Sequence, residues 1–374
     1  MQWLLYLFDR KGMTLTHTFR SFTQMFLALS FLIAFYGVAV AETSSATPNA
    51  AILLYHHVSD KTPRSTSISP DEFSEHMDYL AAHHTVVSLE QVVLALKNNT
   101  ALPSNAVAIT FDDGYANILH NAHDILVNKG FPYTVFINPD EISVGPSQLT
   151  WEQVETMHND GVTFANHTLD HLHMLNGEFN MGEEKWLSSV WQNVAHAQKK
   201  IEEKLGSSPK LFAYPFGEFN VALASKLEQE GYVAFGQHSG AVGPHSNMQA
   251  LPRFPAAGPY ASLKTLKTKL NSLAMPVTDI SHKEPRVKDR NMNKPITLTL
   301  DSDDMRTSQV SCFFGGEVIK TQTTKSTVSF YIESTLPIGR SRVNCTAPSI
   351  SSSGRYYWYS VPFFVADDNG NYPD

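Results

Sequence analysis

The chain has 374 residues, enough for about two domains with full hydrophobic cores. With 42% hydrophobic and 17% charged residues it has the composition of a globular protein, which excludes a disordered or fibrous chain. A formal net charge of −8 argues against a protein that holds nucleic acid or anionic lipid through a bulk positive field.

In chain order, the first feature is a leader. Arg10, Lys11 and Arg20 precede an apolar run from Phe26 to Val40, and Ala39-Val40-Ala41 stands before Glu42. Basic flank, short apolar core and an Ala-x-Ala site read as a secretory signal peptide over 1–41. The run is short for a stable bilayer span. An uncleaved anchor is the competing reading, and Met13 is a second candidate start. No cysteine lies beside the site, which argues against a lipoprotein anchor. Cleavage after Ala41 removes three bases and one acid, leaving 25 Lys+Arg against 35 Asp+Glu, a net charge near −10. Export to the periplasm or beyond is thus expected. In such a compartment the two cysteines, Cys312 and Cys345, are expected to pair. The enclosed loop contributes roughly 3–4 kcal/mol on a chain-entropy account. Two buried free thiols are the alternative.

From Ala51 to about Leu273, short apolar runs alternate with amphipathic stretches. The predicted strands are Ile52–Tyr55, Val107–Phe111, Thr134–Ile137, Val162–Ala165, Leu211–Tyr214 and Val233–Phe235. The predicted helices are Pro70–Ala82, Leu89–Lys97, Ala116–Lys129, Trp151–Asn159, Glu183–Leu205 and Val221–Gln229. Thr150 with Gln153 resembles a capping box, and Lys129-Gly130 and Glu230-Gly231 read as helix stops. Repeated strand–helix units imply an α/β fold with a parallel sheet, open or closed into a barrel. A polar stretch at 276–294, rich in Pro, Lys and Arg, reads as a linker. Beyond it, Ile296–Leu300, Val310–Phe314, Thr327–Ile332, Arg342–Thr346 and Tyr356–Val365 read as strands with no helices between them, a small all-β sandwich over 295–374. The catalytic segment is then 42–275.

In parallel folds the chemistry gathers at the carboxyl ends of the strands, and the motifs of this chain lie there. Ala108 to Phe111 runs into Asp112-Asp113-Gly114. Adjacent residues point to opposite sides, so one carboxylate can hold a metal while the other handles a proton. A plain turn is the bland reading of the same residues. Asn166-His167-Thr168-Leu169-Asp170-His171 follows the next-but-one strand, and a helical turn there would place both imidazoles on one face. His173 complicates the assignment. Tyr214-Pro215-Phe216-Gly217 is a bent strand end able to offer the Phe216 N–H to an oxyanion. Leu53-Leu54-Tyr55-His56-His57 closes the first strand with a candidate proton donor. Arg253, between Pro252 and Phe254-Pro255, either pairs with a site carboxylate or lies on the surface.

These residues resemble the polysaccharide deacetylases of carbohydrate esterase family 4, which carry a NodB-homology domain. Thr110-Phe111-Asp112-Asp113-Gly114 is similar to the family's first motif and His167-Thr168-Leu169-Asp170-His171 to its second. Tyr214-Pro215-Phe216-Gly217 resembles the third, although the Arg that usually opens that motif is absent and Phe212-Ala213 stands there. The general-acid motif, Leu-x-x-His, normally comes last; here Leu53-Leu54-Tyr55-His56 places it first. That order is similar to the circularly permuted branch that deacetylates poly-β-1,6-N-acetylglucosamine. The resemblance implies a distorted parallel (β/α) barrel and an N-deacetylase acting on an N-acetylated polysaccharide. It further implies a divalent metal, most simply Zn²⁺, on Asp113, His167 and His171, with Asp112 as base, Arg253 orienting it, the Phe216 N–H at the oxyanion and His56 as acid. His238 is the reserve acid.

Two other readings remain at this stage: a glycan-binding protein on a decayed scaffold, and a deacetylase of peptidoglycan, chitin oligomers or a small amide. Glycan selection is expected from the loops Asn138–Gln148 and Asn176–Gly182 and from Trp151 or Trp186, unless those tryptophans are core. The run Tyr356-Tyr357-Trp358-Tyr359 offers either a sugar-stacking strip or sandwich core.

Overall fold

Six apolar runs form the main parallel strands of one curled sheet: β1 (Ala50–Tyr55), β2 (Ala106–Phe111), β3 (Tyr133–Ile137), β4 (Thr163–Asn166), β5 (Leu211–Ala213) and β6 (Val233–Phe235). The computed structural model describes residues 47–301 and 303–373, so the expected leader lies outside the described residues. The strands pair in sequence order, β1-β2-β3-β4-β5-β6. Strands with no polar alternation need cover on both faces, and apolar clusters pack on both sides of this sheet. Sequential parallel order is that of a barrel, and an irregular segment completes the curl. Leu251 bridges to Phe235 at the end of β6, and Phe254–Pro255 pairs in parallel with Leu53 and Leu54 of β1. The fold is thus a distorted (β/α) barrel, as expected.

Local chemistry sets the helices. Ser69 with Glu72, Ser88 with Gln91 and Thr150 with Gln153 each form a reciprocal capping box, so these helices begin at Pro70, Leu89 and Trp151. The helices Trp151–Asn159, Glu183–Leu205 and Val221–Gln229 have the bounds predicted for them. The helix expected over 116–129 departs from its prediction. It is broken into Ala116–Ile118, a π-helical turn Leu119–His123, and Asp124–Asn128. The reason is polar. Asn117 and Asn121 satisfy the N–H and C=O of Val58, and Asn117 also donates to His57. Such turns commonly sit beside functional sites. Trp186 is fully buried with its indole N–H on the Met174 carbonyl, and Trp151 packs partly buried against the core. No described helix is long and apolar enough to cross a membrane.

The C-terminal strands form a two-sheet sandwich. One sheet contains Ser272–Ala274, Arg286–Val287, Ser311–Phe314, Glu317–Ile319, Gly339–Pro348 and Tyr356–Val365; the other contains Val277–Ile280, Ile296–Leu300, Thr321–Thr323 and Thr327–Phe330. Residues 276–294, read as a linker, thus carry two strands, one in each sheet. Those strands are too short and polar to show a period of two. Cys312 and Cys345 stand opposite each other in register and are joined by a disulfide. The aromatic run divides: Tyr357 and Tyr359 pack on the sandwich core, Trp358 meets Phe254 edge-on at 5.4 Å, and Tyr356 is exposed.

Lys269 is buried at this junction, its Nζ donating to the Pro255 carbonyl and lying 4.5 Å from the Tyr260 ring centre. Burial, and then the nearby Arg342 charge, push it down to about 7. The unfolded chain therefore binds the extra proton between that value and the ordinary lysine value. Stability is expected to rise with pH across this window, by at most about 1.4 kcal/mol per pH unit from this group. Denaturant midpoints at pH 7 and pH 9 for wild type and Lys269→Met check it: the variant should lose this part of the slope, and an identical slope would refute the assignment.

Candidate active site

The carboxyl ends of the strands converge. At the end of β2, Asp112 is fully buried and forms a two-pronged pair with Arg253, Nη1 to Oδ1 at 2.7 Å and Nη2 to Oδ2 at 2.8 Å. Arg253 is itself fully buried in the segment that closes the barrel. Its Nε donates to the Gly236 carbonyl and its Nη1 also reaches the Thr110 hydroxyl. That hydroxyl donates onward to the Leu53 carbonyl, so every group in the chain is satisfied. Burial alone would raise the Asp112 carboxyl. The Arg253 charge and hydrogen bonds, together with the nearby His167 and His56, outweigh it and hold the group below the usual carboxylate range. The structure thus brings Arg253 to Asp112, and the surface reading of this arginine falls away.

Asp113 turns the other way. Its φ is +74°, and Gly114 follows at +70°, where an added Cβ would lie 3.0 Å from Ile137 Cγ2. This left-handed pair at the strand exit directs neighbouring carboxylates to different sides. Asp113 Oδ1 lies 3.2 Å from His167 Nε2 and 3.3 Å from His171 Nε2. Ligand atoms of all three residues lie within 4.8 Å of one another. His167 Nδ1 is 2.7 Å from the Ala213 carbonyl, which can only accept, so Nδ1 carries the proton and Nε2 presents a lone pair. Buried Asp113 Oδ1 and His167 Nε2 have no hydrogen-bond partner among the described residues. An orphaned buried carboxylate oxygen facing two imidazoles fits a divalent cation, and the donor set suits zinc.

The expected helical turn at 167–171 does not form. The segment is a bend with two left-handed residues, Thr168 at φ +69° and His171 at +55°. Asn166 accepts from the Thr168 N–H, and Asn138 donates to the His167 carbonyl. These side-chain bonds to the backbone replace helical ones and still bring both imidazoles to Asp113. His173 is not in the cluster. It pairs with buried Glu218 at 3.1 Å and stacks flat on Phe216 at 3.7 Å.

Phe216 adopts φ +56°, ψ +3°, in the Pro215–Gly217 turn after β5, and its ring meets His171 edge-on at 4.4 Å. Gly217 follows at φ +71°, and a Cβ there would stand 2.9 Å from the Gln237 backbone nitrogen. His56 and His57 separate. His56 lines a cleft of about 500 Å³ together with Asp113, Tyr115, His171, Phe216 and His238. His57 stacks on Tyr115 at 3.6 Å and accepts from Asn117. Burial lowers both candidate acids. At His56 the Asp113 and Asp112 charges counter this more than Arg253 and His167 add to it, whereas at His238 no carboxylate does so, and Arg342 and Arg253 press that imidazole down to about 3. Of the two, His56 has the surroundings that favour a protonated ring.

None of the residues that line the cleft comes from Asn138–Gln148, Asn176–Gly182, Trp151 or Trp186. The walls come instead from Ser65 and Thr66, from Pro255, Ala257 and Tyr260, and from the sandwich residues Arg340, Ser341, Arg342, Pro362 and Phe364. Sequence reasoning missed these because no local pattern distinguishes a strand residue facing a distant cleft from one facing water.

Residues 99–235 match the family model for polysaccharide deacetylase. Asp112, Asp113, His167, His171 and Phe216 fall inside that match, whereas His56 and Arg253 fall outside it. The chain is 28% identical over 204 residues, 54% of its length and 69% of the other's, to YxkH of Bacillus subtilis (strain 168), which is described as a polysaccharide deacetylase. Among solved structures it is similar to IcaB from Ammonifex degensii, with a TM-score of 0.54 and 22% identity, covering 60% of this chain and 98% of the other. It is likewise similar to the deacetylase PplD of Streptococcus pyogenes in complex with acetate (TM-score 0.53, 21% identity, 60% and 99% coverage). A third likeness is to a de-N-acetylase from Aggregatibacter actinomycetemcomitans (TM-score 0.53, 21% identity, 59% and 98% coverage). At these identities the solved structures speak to the fold.

Proposed function

We propose that this chain, which belongs to the polysaccharide deacetylase family and is a hydrolase, is an exported metal-dependent N-deacetylase of a β-linked N-acetylglucosamine polymer, releasing acetate. The observation that carries the reading is the juxtaposition at one strand-end cleft of two sites. One is the Asp113, His167, His171 cluster; the other is the buried Asp112–Arg253 pair.

In this reading Asp113, His167 and His171 hold a divalent cation, with zinc the best match to their donors. When bound, such an ion polarises an amide carbonyl and lowers the pKa of water beside it. Asp112 takes the proton of the attacking water. Arg253 fixes both carboxylate oxygens, which keeps the group ionised and aimed. The Phe216 N–H donates to the oxyanion of the tetrahedral adduct. His56 gives its proton to the departing amine nitrogen, which leaves poorly as an anion. Acyl transfer to the protein is not required. The placement of His56 ahead of the first motif supports a substrate like that of the permuted branch.

The leader over 1–41 is proposed to be removed on export, and the disulfide in the sandwich is consistent with an oxidising compartment.

The test is acetate release from N-acetylglucosamine oligomers of β-1,6 and β-1,4 linkage. Metal-loaded protein is expected to release acetate, chelated protein to lose the activity, and added metal to restore it. Preference for the β-1,6 oligomer would support the exopolysaccharide assignment, and preference for β-1,4 would move it to chitin- or peptidoglycan-like substrates. No release from either, with metal demonstrably bound, would refute the reading.

A further inference from the structure

We infer that Arg340, on the sandwich strand Gly339–Pro348, is a positioning residue for the reaction: it holds the Phe216 turn in its cleft-facing form, so that the C-terminal module completes the active site. The inference rests on the proposed role of the Phe216 N–H.

The contact is direct. Arg340 Nη1 donates to the Phe216 carbonyl at 2.6 Å and to Gln237 Oε1 at 2.9 Å. Phe216 is the one residue of the Pro215–Gly217 turn that pays steric strain, because a side-chain-bearing residue at φ +56° is disfavoured and glycine is not. Strained backbone persists where its surroundings over-determine it. Here the bonds that close the turn run from the Gly217 N–H to Tyr214 O at 2.8 Å and from the Glu218 N–H to Pro215 O at 3.1 Å. The ring of Phe216 is clamped by His173 and His171. Its carbonyl is left to Arg340, in a charge-assisted bond. Fixing the carbonyl fixes ψ. The Phe216 N–H shares a peptide plane with the Pro215 carbonyl, so its direction holds as long as the braced turn keeps the Glu218 N–H on that carbonyl. Gln237 extends the brace, since Gly217 packs directly against its backbone.

The module also forms one wall of the same cleft through Ser341, Arg342, Pro362 and Phe364. It is seated on the barrel beside that wall: Phe364 packs on Phe219 at 5.7 Å and the Ser360 hydroxyl donates to the Ser239 carbonyl. The module therefore bears on the oxyanion turn through a seated interface.

Arg340 is exposed, so its replacement leaves the folded core intact. The experiment compares wild type, Arg340→Ala and Arg340→Lys in the full chain. Amide hydrogen exchange over residues 211–219 is one readout, and kcat and KM for acetate release are the other. In Arg340→Ala, exchange at Gly217 and Glu218 is expected to speed by about tenfold or more. Its kcat should fall by about 10- to 100-fold with KM within about twofold. Arg340→Lys should recover part of both. Unchanged exchange overturns the brace, whatever the activity. Faster exchange with unchanged kcat overturns its role in the reaction, and a raised KM at unchanged kcat would make Arg340 a substrate contact. If wild type releases no acetate, the deacetylase reading fails by itself, and the exchange comparison still decides the brace.

Discussion

Replacing Asp112 by asparagine is expected to lower kcat for acetate release by about 10²- to 10⁴-fold, the range for loss of a positioned general base. The amide is nearly isosteric but cannot take the proton of the attacking water. Asp113, His167 and His171, the residues proposed to hold the metal, are untouched, so bound metal should stay at the wild-type level. That separates the variant from His167→Ala, which should lose metal and activity together. Metal analysis beside kinetics distinguishes the two. A kcat within tenfold of wild type in Asp112→Asn would remove Asp112 from the role of base.

Arg253→Leu is expected to destabilise the fold by about 3–5 kcal/mol, because it leaves the Asp112 carboxylate buried without its partner. The guanidinium is held by Gly236 and Thr110 as well as by Asp112, so Arg253→Lys, which cannot reproduce the fork, should recover only part of the loss. The informative variant is the double one, Asp112→Leu with Arg253→Leu. Replacing both members of a buried ion pair by apolar side chains is often close to neutral, so it should regain most of the stability with none of the activity. Denaturant midpoints of wild type, Asp112→Leu, Arg253→Leu and the double variant complete the cycle. A single Arg253→Leu variant within about 1 kcal/mol of wild type would show that the pair is not the buried, mutually dependent unit described above.

Local pattern made much of this protein legible. The six main parallel strands could be placed from runs of apolar side chains, because a strand covered on both faces carries no polar alternation. The helices opened by Ser69, Ser88 and Thr150 could be placed because a capping box is written in residues three apart. Asp112, Asp113, His167, His171 and Phe216 were findable because each lies where an apolar run ends, and parallel strands bring such ends together. The geometry at those ends was not legible. His167 and His171 meet Asp113 through a bend with two left-handed residues, set by Asn138 and Asn166, whereas the spacing alone suggested a helical turn.

The tertiary structure decided the rest. Arg253 and Asp112 are 141 residues apart, and their pairing depends on an irregular segment that closes the barrel. Arg340 and Phe216 are 124 residues apart, and their contact depends on how the sandwich seats on the barrel. The sequence by itself determined which side chains are buried and where strands and helices stop, since those depend on neighbours a few residues away. Which strand ends share a cleft, and which distant cation stands over which carbonyl or carboxylate, depends on chain closure across more than a hundred residues, and no period of two or 3.6 records it.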